Sequence, residues 1–217
     1  MIKKLALLIL LFSTVGFAQN QPKVKDKDAD KLLNIISNRY KNFKTIKADF
    51  IYSIESKAEN VNEKQKGTIY LKGNKFRLDI ADQIIWCDNK TIWTFSNEAN
   101  EVQVNHYDAK KAPIKMDELF TMYNKGFLYK IVEQKKEGKN EMVLIELTPK
   151  DKKKNYFKIK LTIDKTNQTI TKSQIFEKSG TIHTYSVTNQ YPNIKLEDKF
   201  FTFDAKKYPK CEVVDLR

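Results

Sequence analysis

The sequence predicts a mainly β protein built on one strongly curved antiparallel sheet that forms an unclosed barrel, with amphipathic helices laid against it. Three observations carry that expectation. Apolar and polar residues alternate through a succession of short segments, turn-forming residues separate those segments, and two stretches switch instead to helical spacing. Some ten strands joined by hairpins curl far, and the inside of such a sheet must be filled by its own side chains, by a helix or by a ligand.

The chain opens "MIKKLALLILLFSTVGFAQN", with Lys3 and Lys4 ahead of an apolar run from Leu5 to about Phe12 and small residues at Gly16 and Ala18. This is the pattern of a secretory signal peptide, expected over residues 1–18. No cysteine follows the expected cut, which argues against a lipid anchor, and no later run approaches the roughly 20 apolar residues that span a bilayer. Residues 19–27 read as a polar, flexible leader, and 28–217 as a single domain long enough to bury a sizeable core.

From Asp28 the period becomes helical. Leu32, Leu33, Ile35, Ile36, Tyr40 and Phe43 recur at spacings of three and four, with Asp28 or Asp30 available as the N-cap. The period then falls to two: in "IKADFIYSIES" Ala48, Phe50, Tyr52 and Ile54 share one face, and Lys47, Asp49, Ser53 and Glu55 the other. "GTIYLKGNKFRLDI" reads as a hairpin turning at Gly73-Asn74, "IIWCDNKTIWTF" as another turning at Asp88-Asn89, and "EVQVNHY" as the next strand. A second amphipathic helix is expected around 114–125, where Met116, Leu119, Phe120 and Tyr123 have helical spacing and Gly126 stands as the stop. Five further strands follow, "YKIVEQK", "EMVLIELTP", "YFKIKLTID", "TITKSQIFE" and "TIHTYSVTN", separated by lysine-rich turns.

Alternation nominates Phe50, Tyr52, Phe76, Leu78, Trp93, Phe95, Phe157, Ile159 and Leu161 for the inner faces. Large apolar residues of this kind either pack a core or line a cavity. The formal charge of +13 is almost all lysine, since Arg39, Arg77 and Arg217 are the only arginines. Base reading and bidentate phosphate clamping favour arginine forks, so the composition fits a solvated surface and no nucleic-acid groove is expected. Cys87 and Cys211 are an even pair in a chain expected to be exported; a disulfide is the leading expectation, and two independent thiols the alternative.

Catalytic equipment is sparse. His106 and His183 are the only histidines, no HExxH, CxxC or Gly-x-Ser-x-Gly pattern occurs, and the adjacent carboxylates Asp117 and Glu118 do not face each other on a helix. No enzyme activity, cofactor or metal is expected.

"FKTIKADFIYSI", "GTIYLKGNKFRLDI", "IIWCDNKTIWTF" and "KFFTFDAKKYP", in that order and spacing over roughly 28–210, resemble the periplasmic outer-membrane lipoprotein carrier family, LolA. The resemblance implies an unclosed β-barrel covered by helices, in the periplasm, with an apolar cavity for the acyl chains of lipoproteins. It implies two partners, an inner-membrane lipoprotein-releasing ABC complex that loads the cargo and an outer-membrane acceptor that receives it. The nominated inner-face residues would then be the lipid-binding cavity. The two helices would form a lid through Leu33, Ile36, Tyr40, Met116, Leu119, Phe120 and Tyr123. The family commonly has an arginine followed by proline in the hairpin turn occupied here by Gly73-Asn74, so its lid latch does not carry over; Arg77 is the nearby substitute, although alternation makes it a solvated face residue. A carrier or sensor for another lipid, glycolipid or pigment precursor on the same fold is the alternative function, and a scaffold role a third. The exported protein is expected to be a monomer whose basic surface favours anionic partners.

Overall fold

The computed structural model describes residues 26–108, 120, 121, 123 and 126–217. The expected signal peptide, nearly all of the leader, and most of the second expected helix, Met116 and Leu119 included, lie outside the described residues.

Helix α1, Lys27–Lys41, begins earlier than its apolar spacing suggests because Asp26 caps it. One Asp26 carboxylate oxygen accepts the N–H groups of Asp28 (2.9 Å) and Ala29 (3.2 Å), and the other accepts the N–H of Ile131 (3.1 Å). The cap therefore also fastens the helix to the sheet, and these N–H donors hold the Asp26 carboxyl below its ordinary range. Asp28 and Asp30 sit at the positive end of the helix dipole, Arg39 and Lys41 at the negative end. Ala29, Leu32, Leu33, Ile36 and Tyr40 form the buried stripe, while Ile35, expected on it, faces outward.

Among the described residues twelve strands form one sheet: β1 (Ile46–Ser56), β2 (Val61–Lys72), β3 (Lys75–Ile80), β4 (Gln83–Cys87), β5 (Thr91–Ser96), β6 (Glu101–His106), β7 (Phe127–Glu137), β8 (Asn140–Pro149), β9 (Tyr156–Asp164), β10 (Thr169–Glu177), β11 (Ile182–Pro192) and β12 (Glu212–Asp215). The order is β12-β6-β5-β4-β3-β2-β1-β11-β10-β9-β8-β7. Two meanders, β1 to β6 and β7 to β11, thus meet along the antiparallel β1/β11 seam, and β12 adds to β6 in parallel. Strands β7 and β12 lie at opposite edges, so the sheet curves without closing. Irregularities in register at Asp49/Phe50, Ile131/Glu133, Ile170/Lys172 and Phe176/Glu177 add local twist and bend.

The two-residue loop between β2 and β3 has Gly73 at φ +54°, a left-handed conformation for which glycine carries no steric penalty. Asn89 takes the same role between β4 and β5 at φ 78°. The short β12 and the polar first half of β2, "VNEKQK", go beyond the strands expected from alternation.

A single buried cluster joins α1 to side chains from β1 to β4 and β7 to β10, which requires the sheet to wrap around the helix. The opposite, outer face of β4 to β6 has its own smaller cluster, Trp86, Phe95 and Val102, covered by the segment leading to β12.

Candidate functional site

Strand register identifies the inner face row by row. Ile46, Leu71, Phe76, Cys87 and Ile92 lie directly opposite one another across β1 to β5, and Ala48, Ile69, Leu78 and Ile85 form the next row. Across the seam, Tyr52, Tyr185, Ser173, Leu161 and Ile145 make a third. Period-two alternation forces all of these to one side, the side that holds α1.

This face has two zones. Under the helix it is closed: Ile145, Leu147, Ile159, Leu161 and Ile163 are buried in one cluster with Leu33 and Ile36. It opens beside Phe50 on β1, Leu78 on β3, Ile85 on β4, Ile92 on β5 and Val187 on β11, which are only half-buried, packed against the core. The Phe50 ring lies across Gly67, where a Cβ would stand 2.5 Å from the ring tip, so the absence of a side chain at 67 gives the ring its place.

The helix is pinned where the zones meet. Tyr40 Oη donates to Gln190 Oε1 (2.6 Å) and accepts the Ile170 N–H (3.2 Å), while Gln190 Nε2 donates to the Ile170 carbonyl (2.9 Å). The Tyr40 ring stacks on Phe120 at 4.7 Å, and Tyr123 Oη bonds to Ser173 Oγ at 3.4 Å. Phe120 and Tyr123, two of the expected lid residues, are buried on this face. At the other end of the helix, Tyr129 Oη donates to Asp30.

Six of the nine nominated cavity residues, Phe50, Tyr52, Phe76, Leu78, Ile159 and Leu161, come together on the inner face. Three do not. Trp93 and Phe95 point to the outer face because β5 presents Ile92 and Thr94 inward, opposite Cys87 and Ile85. Phe157 is turned outward by the irregularity at the start of β9, which places Tyr156 inward and leaves Phe157 48% exposed. Conversely, Ile85, Ile92, Tyr185 and Val187 escape nomination; their signal is the cross-strand register to Leu78, Cys87, Tyr52 and Phe50, which needs the pairing as well as the alternation.

The outer cluster accounts for the aromatic C-terminal segment. Phe203 and Tyr208 meet the Trp86 ring at 5.7 and 5.9 Å, and Tyr208 packs on Phe95 at 4.7 Å. Arg77 belongs here too: it pairs with Asp79 through two hydrogen bonds (2.8 and 3.0 Å) and lies over the rings of Trp86 and Phe200. It faces away from α1 and cannot latch it. Lys72 and Lys75 converge on Asp198, both at 2.8 Å, and their hydrogen bonds bring its carboxyl down to about 2.

The expected disulfide is absent: Cys87 and Cys211 are free thiols. Cys87 is buried in the inner cluster and Cys211 packs on the outer one, so the sheet itself stands between them. Burial pushes the Cys87 thiol up to about 11.

Polar groups on the inner face gather at the end of the strands marked by the β1–β2 and β10–β11 turns. Tyr52 Oη is 2.8 Å from His183 Nδ1, and His183 Nε2 is 3.5 Å from Glu177 Oε1, which also accepts from Asn155 Nδ2 (2.9 Å). Burial, then the charges of Glu177 and Glu63, raise the Tyr52 phenol. Burial pushes Tyr185 up to about 12. Both phenols are thus neutral hydrogen-bonding groups on an apolar wall. No group of three or more metal-ligating side chains occurs among the described residues. What the site offers chemically is apolar area, a helix across part of it, and a few neutral polar groups at one end.

The model of the family "Outer membrane lipoprotein carrier protein LolA" matches residues 41–204, the span from the end of α1 to the outer aromatic segment. Among solved structures, an uncharacterized conserved protein from Thermus thermophilus is 12% identical, with a TM-score of 0.55 over 87% of this chain and 99% of that one. LprF from Mycobacterium bovis is 12% identical, with a TM-score of 0.52 over 80% of this chain and 97% of that one. At such identity the likeness is one of fold. No curated protein matches the sequence.

Proposed function

Because the chain belongs to the LolA family of outer membrane lipoprotein carriers, we propose that it shields the acyl chains of lipoproteins on the inner face of its sheet and carries them across the periplasm. The observation that carries this reading is the open zone, where Phe50, Leu78, Ile85, Ile92 and Val187 continue the closed core but remain half-buried. A side chain serving only as core is normally covered, whereas a row of half-covered apolar residues beside a helix can accept a further apolar body. Each methylene taken from water contributes about 0.8 kcal/mol, so a pair of acyl chains has ample reason to occupy it.

The mechanism needs no covalent step in this chain. Helix α1, with Leu33, Ile36 and Tyr40, acts as the lid, assisted by the segment carrying Phe120 and Tyr123. Cargo arrives from an inner-membrane lipoprotein-releasing ABC complex and leaves for an outer-membrane acceptor that holds acyl chains more tightly, so transfer runs down an affinity gradient. The Tyr40–Gln190–Ile170 bonds replace the latch that the family places in the β2–β3 turn.

Mass spectrometry of an organic extract and a tryptic digest, on protein expressed with its export signal and purified gently from periplasm, tests the reading. Acylated N-terminal cysteine peptides are expected. Co-purified phospholipid, fatty acid or pigment instead would replace the lipoprotein cargo with the alternative one, and protein without any apolar ligand would sink the carrier function.

A further inference from the structure

One end of the sheet gathers three turns: β1–β2 at 57–60, β8–β9 at 150–155 and β10–β11 at 178–181. The latter two are tied together, since Lys178 N–H donates to the Asn155 carbonyl (2.8 Å) and Lys178 Nζ to the Lys152 carbonyl (2.7 Å). The tie holds Lys152, Lys153, Lys154 and Lys178 close to one another, all exposed. On the outer face just behind them stand Lys158 and Lys160, in register with Phe176 and Gln174. Lys158 Nζ lies 4.6 Å from the centre of the Phe176 ring and 5.5 Å from that of Phe157.

Phe157 is the anomaly in this surface. The irregularity of register at the start of β9 turns it out of the sheet, and it is 48% exposed in the midst of lysines. A large apolar ring rimmed by cations has little to gain in water, and a protein partner that neutralised the cations would still need a pocket for the ring. An anionic lipid surface satisfies both, with phosphates for the lysines and the headgroup boundary for the ring. We propose that this end of the sheet is a docking surface for anionic phospholipid bilayers, with Phe157 as its inserted residue and the two linked turns as its electrostatic base.

The placement has a consequence for the inner face. Tyr52, His183 and Tyr156 lie at the same end of the strands, so a docked molecule brings that end of the apolar wall to the lipid boundary. Docking itself does not depend on what the inner face carries.

The test is co-sedimentation of the purified protein with vesicles of phosphatidylcholine alone or of phosphatidylcholine and phosphatidylglycerol in equal parts. Binding is expected only to the anionic vesicles and is expected to fall as salt rises. The triple variant Lys152→Glu, Lys153→Glu, Lys154→Glu should lower the partition coefficient on the order of a hundredfold or more, since each basic residue near an anionic surface contributes roughly fivefold and the introduced carboxylates add repulsion. Phe157→Ala should lower it several-fold, with less effect on the salt dependence. Reversing Lys135, Lys136 and Lys139, at the opposite end of the strands, serves as the control and should leave binding near wild type. Equal losses from both triple variants would reduce the effect to net charge and overturn the patch. Absence of binding to anionic vesicles would overturn lipid as the partner and leave an acidic protein surface as the occupant. Unchanged circular dichroism shows that each variant is folded, and acyl-ligand binding by the triple variant separates loss of docking from loss of the carrier site.

Discussion

Tyr40 Oη ties α1 to the second meander: it donates to Gln190 on β11 and accepts from the backbone of Ile170 on β10. A single phenol thus fixes the C-terminal turn of α1 against two strands. Tyr40→Phe keeps the ring on Phe120 but removes both bonds and leaves the buried Ile170 N–H without that partner. The expected cost is about 1–3 kcal/mol, read as a lower denaturation midpoint with an unchanged slope. If Tyr40 is the latch, a bound acyl probe also leaves faster; an unchanged off-rate would confine the residue to stability.

Phe50 and Trp93 should part company on substitution. Phe50→Asp places a carboxylate in the open zone and is expected to abolish binding of an acyl probe, whereas Trp93→Ala empties part of the outer cluster. The latter should cost about 3–5 kcal/mol or less, given its partial exposure, and leave probe affinity in the surviving folded fraction near wild type. Comparable loss of affinity in both would place cargo on the wrong face. Gly67→Ala offers a finer control, since the added methyl displaces the Phe50 ring rather than backbone.

The two thiols should react in sequence. In native protein, a thiol reagent is expected to modify Cys211 first, because Cys87 is buried and its thiol is held up at about 11. Both should titrate once the chain is unfolded without reductant. Recovery of no free thiol under those conditions would restore the disulfide.

Acid should loosen the helix from its first turn. The Asp26 carboxyl is held below its ordinary value of 3.8 by N–H donors from Ile131 and Ala29. Its folded value is depressed, so its contribution is complete above that ordinary value and disappears as pH falls through the lowered one. Asp26→Asn should therefore destabilise at neutral pH and flatten the acid limb of the stability curve. An acid limb as steep as wild type would assign it to other carboxylates.

The strand faces are legible where a segment stands alone and less so where a connection sets the parity. "IKADFIYSI" declares its inner face through Phe50 and Tyr52 because its other face is polar. Strand β5 does not: "TIWTF" has apolar residues of both parities, and only pairing with β4 decides that Ile92, and not Trp93, looks inward. The aromatic residues of 200–208 give no hint that they cover the other face, which is a tertiary contact without a local period. Phe157 fails for a different reason, since one extra residue in a strand reverses every expectation on its near side. Asp26 escapes notice as the cap because Asp26, Asp28 and Asp30 offer the same local signal, and what distinguishes Asp26 is its added bond to Ile131, 105 positions away.

The order in which the chain is made gives the sheet's strand order a meaning in time. Strands β2 to β6 pair with neighbours as they emerge, yet β1 waits for β11 and β6 waits for β12. Until residues 182–215 are present, the first meander has bare hydrogen-bonding edges on both sides. A nascent molecule therefore keeps adhesive edges until β11 and β12 have emerged. Fragments ending before β11 should aggregate, those ending between β11 and β12 should aggregate less, and the twelfth strand, four residues long, is what finally seals the last edge of the first half.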